Sequence, residues 1–156
     1  MKNEQLIRDF YEAFARNDAE AMISCYHDEI EFFDPAFGKL NGEDAKNMWK
    51  MLIERAKGNL KIEFANVSAD DEKGSADWTA DYLFSKTGRQ VHNEVHAEFE
   101  FKDGKIFRHR DSFDVWKWSK QALGISGFLL GWSSFLQNKI QQTARASLSE
   151  YAAKNK

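Results

Sequence analysis

The dipeptide Asp103-Gly104 stands between two runs that alternate in polarity, and it constrains the fold more than any other feature of this 156-residue chain. Asp-Gly suits a type I′ turn, whose central residues take positive φ and whose twist matches the strands it joins. Upstream, "VHNEVHAEFEF" puts Val91, Asn93, Val95, Ala97, Phe99 and Phe101 on one face. His92, Glu94, His96, Glu98 and Glu100 fall on the other. Downstream, "IFRHRDSFDVW" is expected to run on as a strand, with Phe107, His109, Asp111 and Phe113 on the first face and Arg108, Arg110 and Ser112 on the second. Arg108 and Arg110 are then expected to pair across strands with Glu98 and Glu100. A hairpin with one apolar face has to be covered by another layer.

The rest of the chain supplies that layer. Leu6, Ile7, Phe10, Tyr11 and Phe14 recur at helical spacing, and Asp18 is a natural N-cap for a second helix carrying Met22, Ile23 and Tyr26. "EIEFFDP" (29–35) switches to period two and halts at the only proline, which keeps Asp34 extended. A third helix follows "NGED", with Met48, Trp49, Leu52, Ile53 and Ala56 on one stripe. "LKIEFANVS" and "ADWTADYLF" read as two further strands, separated by polar turns. The chain is helical again after Lys117, and 133–154 is a long helix with Leu136, Ile140, Ala144, Leu148 and Tyr151 on one face.

These patterns predict one α+β unit and exclude several functions. A net charge of −3 gives no pull toward nucleic acid. A single cysteine, Cys25, allows no intrachain disulfide and fits a reducing, cytoplasmic setting. No Walker loop, dinucleotide fingerprint or Ser-His-Asp order is present. The alternating His92/Glu94/His96 row splays along a strand and predicts no metal site. The apolar run 122–132 is too short to span a bilayer. With Lys and Arg sparse between 121 and 138, it is expected to pack across the open end of the sheet or against a partner, not on a membrane. Aromatic residues make up 14% of the chain, enough to line an apolar pocket as well as a core.

The order of helices and strands, with "EFFDPAFG" after the second helix and "FEFKDGKIFRHRDSFD" at the sheet's end, resembles the SnoaL-like branch of the NTF2-like superfamily. The resemblance covers about residues 4–118. It implies a curved antiparallel sheet of four or five strands, wrapped as a cone around one apolar cavity, with 1–118 as the family-like domain. Residues 119–156 would be a helical extension packed on it. Asp34 falls where ketosteroid isomerases place their general base, in a similar "EDPVG" stretch. Their two oxyanion donors do not carry over: the Tyr falls on Phe10 and the second Asp on Ala97. Asp111 lies in an "RDSFD" similar to the "RDYFD" of limonene-type epoxide hydrolases, whose Arg-x-Asp partner is replaced here by Thr79-Ala80-Asp81.

The resemblance implies Asp34, His109 and Asp111 as the catalytic group. Either carboxylate would be the base, with His109 a proton shuttle or electrophilic donor. It implies a substrate-binding wall of Phe10, Tyr11, Phe14, Trp49, Trp78, Tyr82, Asn93, Ala97 and Phe113. The expected function is metal-independent acid–base chemistry, without a cofactor, on a small apolar or cyclic molecule: isomerisation, cyclisation or a lyase-like step. A non-catalytic module that binds a hydrophobic ligand, or serves as a dimeric interaction domain, is the alternative. The polar outer sheet face suggests a homodimer.

Overall fold

The computed structural model describes residues 2–131 and 133–155, with Leu130 described by its backbone alone. Three helices and six strands come first: α1 (Lys2–Ala15), α2 (Ala19–Ser24), β1 (Tyr26–Asp34), β2 (Gly38–Asn41), α3 (Glu43–Ala56), β3 (Lys61–Ala69), β4 (Lys73–Phe84), β5 (Arg89–Lys102) and β6 (Lys105–Ser112). Then come α4 (Val115–Leu123), α5 (Ile125–Leu130) and α6 (Ser134–Lys154). The strands form one curved sheet in the order β2-β1-β6-β5-β4-β3. Every neighbouring pair is antiparallel except β1 with β6.

Local chemistry explains the corners. Asp18 caps α2 by accepting from the Ala21 N–H. Asp103 (φ 54°) and Gly104 (φ 74°) both take the left-handed conformation that a type I′ turn demands. Along β5 the apolar row Val91, Val95, Ala97 and Phe99 is buried, and its polar alternates are largely exposed. Residues Ile7, Phe10, Tyr11 and Phe14 of α1 and Met48 and Trp49 of α3 cover that inner face and build the main core with it.

Four expectations about element bounds and strand register need correction. Tyr26 is not helical: α2 stops at Ser24, and Tyr26 opens β1 with its side chain buried. The sheet has six strands, because the short β2 pairs with β1 after the Asp34-Pro35 corner. Phe107 does not face inward, since Phe101 pairs with Ile106 and Glu100 with Arg108, leaving Phe107 as the extra residue of a bulge. Ile106 takes the buried place, and Phe107 meets the His27 ring at 5.3 Å. Lastly, the strand after the hairpin ends at Ser112, and Asp114 accepts from the Lys117 N–H as the N-cap of α4.

On the outer face Arg108 pairs with Glu100 as expected, at 3.3 Å, and with Glu31 at 2.9 Å. Arg110 does not pair with Glu98; it lies 4.4 Å over the Phe33 ring. The inner face of α6 runs through Leu136, Ile140, Ala144, Leu148 and Tyr151, with Leu148 in the main core. Ile140 packs on a second cluster of Val91, Trp118 and Ala122. Thus α4 and α6 cover the β4–β5 end of the sheet. Of the apolar run, Ala122 and Leu123 join that cover, but in α5 Ile125, Phe128 and Leu129 stay exposed, and Trp132 lies outside the described residues.

The glycines of that run have a steric cause. A Cβ on Gly127 would collide with the backbone carbonyl of Ser119 in α4, so only glycine lets the two helices touch. Gly127→Ala is expected to cost about 1–3 kcal/mol as α5 is forced off α4. Denaturant unfolding would measure it, and an unchanged midpoint would refute the close contact.

Candidate functional site

The inner face of β6 presents two polar side chains among rings. His109 and Asp111 are 1% and 3% exposed. Phe99 (4.6 Å), Phe32 (5.1 Å), Phe10 (5.5 Å), Tyr26 (6.0 Å) and a stacked Trp49 (6.1 Å) surround the imidazole, measured between ring centres. Buried polar groups of this kind persist only when their hydrogen bonds are made.

They are made in one continuous chain. Trp49 Nε1–H donates to Tyr26 Oη at 2.8 Å. Tyr26 Oη lies 2.7 Å from His109 Nδ1, and His109 Nε2 lies 2.9 Å from Asp111 Oδ1. Trp78 Nε1–H donates to the same Oδ1 at 3.3 Å. The donor inventory fixes the directions. With Asp111 as a carboxylate, His109 Nε2–H must donate to it, and Nδ1 then accepts the Tyr26 hydroxyl proton. An imidazolium would strand that hydroxyl proton, because Tyr26 Oη would already face two donors. The neutral Nε2–H tautomer alone leaves no member unsatisfied. Both ring nitrogens are therefore committed to protein groups.

Asp34 sits at the end of β1, half-buried. The proline after it breaks the strand, and the turn folds back so that the Phe37 N–H donates to Asp34 Oδ1 at 2.6 Å. Burial pushes its carboxyl up to about 7; the charge of Asp111 adds to the rise, and the Phe37 and Ala36 N–H groups oppose it. Asp34 in turn helps burial raise the Tyr82 phenol. The two carboxyl groups and Tyr82 thus share one electrostatic neighbourhood. Tyr82 Oη accepts from Trp118 Nε1 at 2.8 Å, so α4 ties directly into this end of the sheet.

A second brace comes from α6. Arg145 Nη1 donates to the Phe37 carbonyl at 2.6 Å and to the Lys39 carbonyl at 3.1 Å, clamping the turn that carries Asp34. Sequence reasoning missed both Arg145 and Tyr26. For Tyr26 a signal existed: Tyr26, Asp28, Ile30, Phe32 and Asp34 share one parity, so the strand could have been started three residues earlier. For Arg145 no local pattern marks a partner more than a hundred residues away.

The wall residues divide into two groups. Phe10, Tyr11, Phe14, Trp49, Trp78 and Ala97 are buried and packed on one another, whereas Tyr82, Asn93 and Phe113 are half-buried. Ala97 is the register partner of Asp111, so a carboxyl group stands beside position 97 on the adjacent strand. Asp111 accepts from two donors there, which is a different role from a protonated donor. The Tyr11 hydroxyl is buried without a hydrogen-bond partner, and burial, with Asp111 next, holds its pKa well above the usual phenol value. Asp81 points outward to His92 at 2.7 Å, and Asp77 to His96 at the same distance. No cluster of His, Cys, Asp and Glu among the described residues could hold a metal ion. A depression of about 850 Å³ is lined by outward-facing Glu31, Lys39, His96 and Arg108 together with Phe32, Phe99 and His109.

A family model described as a SnoaL-like domain matches residues 7–109. Among solved structures, the chain is similar to TerC co-crystallised with polyporic acid: 18% identity, TM-score 0.62, covering 73% of this chain and 92% of that one. It is similar to a candidate polyketide cyclase from Xanthomonas campestris pv. campestris (18%, TM-score 0.63, 77% and 96%). A Mycobacterium tuberculosis epoxide hydrolase of the LEH-like type also matches (21%, TM-score 0.61, 83% and 96%). No curated protein matches significantly. At these identities the structures establish a shared fold, and their chemistries differ.

Proposed function

Because the chain belongs to the SnoaL-like domain family, we propose that it is a small-molecule enzyme that moves a proton within an apolar or cyclic substrate. The reaction would be an isomerisation, a cyclisation or a lyase-like step, without metal or cofactor. The observation that carries this reading is the Asp34 carboxyl, held near 7 by burial and by Asp111. A group titrating there can both take and return a proton at neutral pH. Asp34 would be the base. Asp111 would keep that base weakly acidic, and the Trp49–Tyr26–His109 chain would hold Asp111 in place. Tyr82, Asn93 and Phe113 would face the substrate, with the packed rings behind them. The co-crystallisation of TerC with polyporic acid accords with a small organic ligand. A cytoplasmic location and a homodimer, paired across the outer face of the sheet, complete the proposal.

One observation favours a second reading, a binder without turnover. Both nitrogens of His109 are held by protein partners, and the family's oxyanion positions are Phe10 and Ala97. Native mass spectrometry of the protein purified from its own cells separates the two. We expect a bound neutral molecule that is released on denaturation and is converted when added in excess. A molecule that binds and returns unchanged would establish the binder.

A further inference from the structure

Exposed large apolar side chains are gathered at one end of the molecule. Ile125 is 79% exposed, Phe135 73%, Leu129 58% and Phe128 56%, and Trp116 joins them at the α4 end. Leu83, the remaining such residue among those described, pairs in register with Gln90, beside Arg89. Arg89 Nε donates to the Gln121 carbonyl of α4 at 2.7 Å, so this strand end belongs to the same surface. Ile125, Phe128 and Leu129 share one face of α5, at i, i+3 and i+4. Side chains more than half exposed protrude; they do not line a groove.

The charge around them is mostly positive, with Glu94 and the α4 cap Asp114 the nearby carboxylates. Of the chain's 22 Lys and Arg, four (Lys117, Lys120, Lys139 and Arg145) fall between Val115 and Ser149, and of its 25 Asp and Glu none does, although Arg145 is turned away to the Phe37 and Lys39 carbonyls. Lys117 reaches Glu94 at 3.3 Å, and Lys120 lies 3.9 Å over the Trp116 ring. The fold adds Arg89, whose guanidinium packs against Gly124 at the start of α5. The sparseness of basic residues within 121–138 is thus offset by cations brought from outside that window.

We propose that this end of the molecule docks on an anionic lipid surface. α5 and Phe135 would enter the headgroup layer, and Lys120, Lys139 and Arg89 would meet lipid phosphates. No helix is long and apolar enough to cross a membrane, so the contact is peripheral. A second copy of the chain fits less well. Symmetric pairing would set this mostly cationic face against itself and bring like charges together. The inference stands independently of the acid–base reading, since none of its residues is assigned to the site.

The test is flotation of the full chain with vesicles of phosphatidylcholine alone and of phosphatidylcholine mixed with phosphatidylglycerol. Binding is expected to the mixed vesicles, weakening as salt rises. The double variant I125S/F128S should bind about tenfold less. Its unfolding midpoint should be unchanged, because both side chains are exposed. K120E/K139E, which leaves the apolar residues intact, should lose about fivefold per lysine and keeps the test decisive should the first variant misfold. Binding to neither vesicle, or equal binding by both variants and the parent, overturns the proposal. So does self-association in lipid-free light scattering that I125S/F128S abolishes, which would make a second copy the occupant.

Discussion

Asp34→Asn is expected to lower turnover by about 10²–10⁴ while making the protein more stable at pH 8. The first effect is the usual loss when a positioned base is removed. The second follows from linkage. In the folded protein the carboxyl keeps its proton up to about 7, against an ordinary value of 3.8. Between those values the folded state binds more protons than the unfolded chain, so stability falls as pH rises through the window. Above pH 7 the ionised carboxylate carries its full penalty, about 4 kcal/mol for a displacement of that size. Because the half-buried group admits water, about 2 kcal/mol is the expected gain on replacing it with the neutral amide. At pH 4, where the parent is largely protonated when folded, the two proteins should unfold alike. Denaturant melts at pH 4 and pH 8 give the difference directly. A variant no more stable at pH 8 than the parent would show that Asp34 ionises freely, and the acid–base reading would lose its supporting observation.

Such an opposition, with activity and stability pulling apart at one residue, marks a group retained for chemistry. The neighbourhood of Asp34 is consistent with that. Its turn is bridged from α6 by Arg145, and Tyr82, whose phenol the Asp34 charge helps to raise, is tied to α4 through Trp118. Residues outside 7–109, the span of the family model, thus brace the turn that carries Asp34 and the Tyr82 hydroxyl.

What the sequence disclosed follows the range of each interaction. The hairpin at Asp103-Gly104 and the burial of alternate β5 residues rest on neighbours within a few positions, and both were readable. The same alternation carried through β6 misplaced Phe107, because one bulge residue inverts parity and leaves no compositional mark at a position already apolar. β2, four residues long, gave no period to detect. Asp34 and Asp111 were legible only through their motifs, "FFDPAFG" and "RDSFD", and the partners that define their chemistry were not. Tyr26 reaches His109 across 83 positions and Trp78 reaches Asp111 across 33. Separations like these carry no periodic signal, so the polar chain inside the core emerges only from three-dimensional packing.

That polar chain sets the largest expected loss of stability. Asp111→Ala removes the shared acceptor of His109 Nε2–H and Trp78 Nε1–H, and both donors lie where water does not reach freely. Two stranded donors and the space left by the carboxylate should together cost about 3–5 kcal/mol. Asp111→Asn is the informative contrast. Its amide oxygen can still accept from both donors, so the loss should stay near 1–2 kcal/mol, the difference between a charged and a neutral acceptor. The same substitution deletes the charge that helps to raise the Asp34 carboxyl. The pH at which folded Asp34 ionises should therefore fall while burial keeps it above 3.8. Carboxyl carbon NMR resolves that titration, and denaturant unfolding gives the two stabilities. Equal losses for Ala and Asn would mean that the donors are not held by Oδ1. An unmoved Asp34 titration in Asp111→Asn would separate the two carboxyl groups, and with them the paired acid–base site.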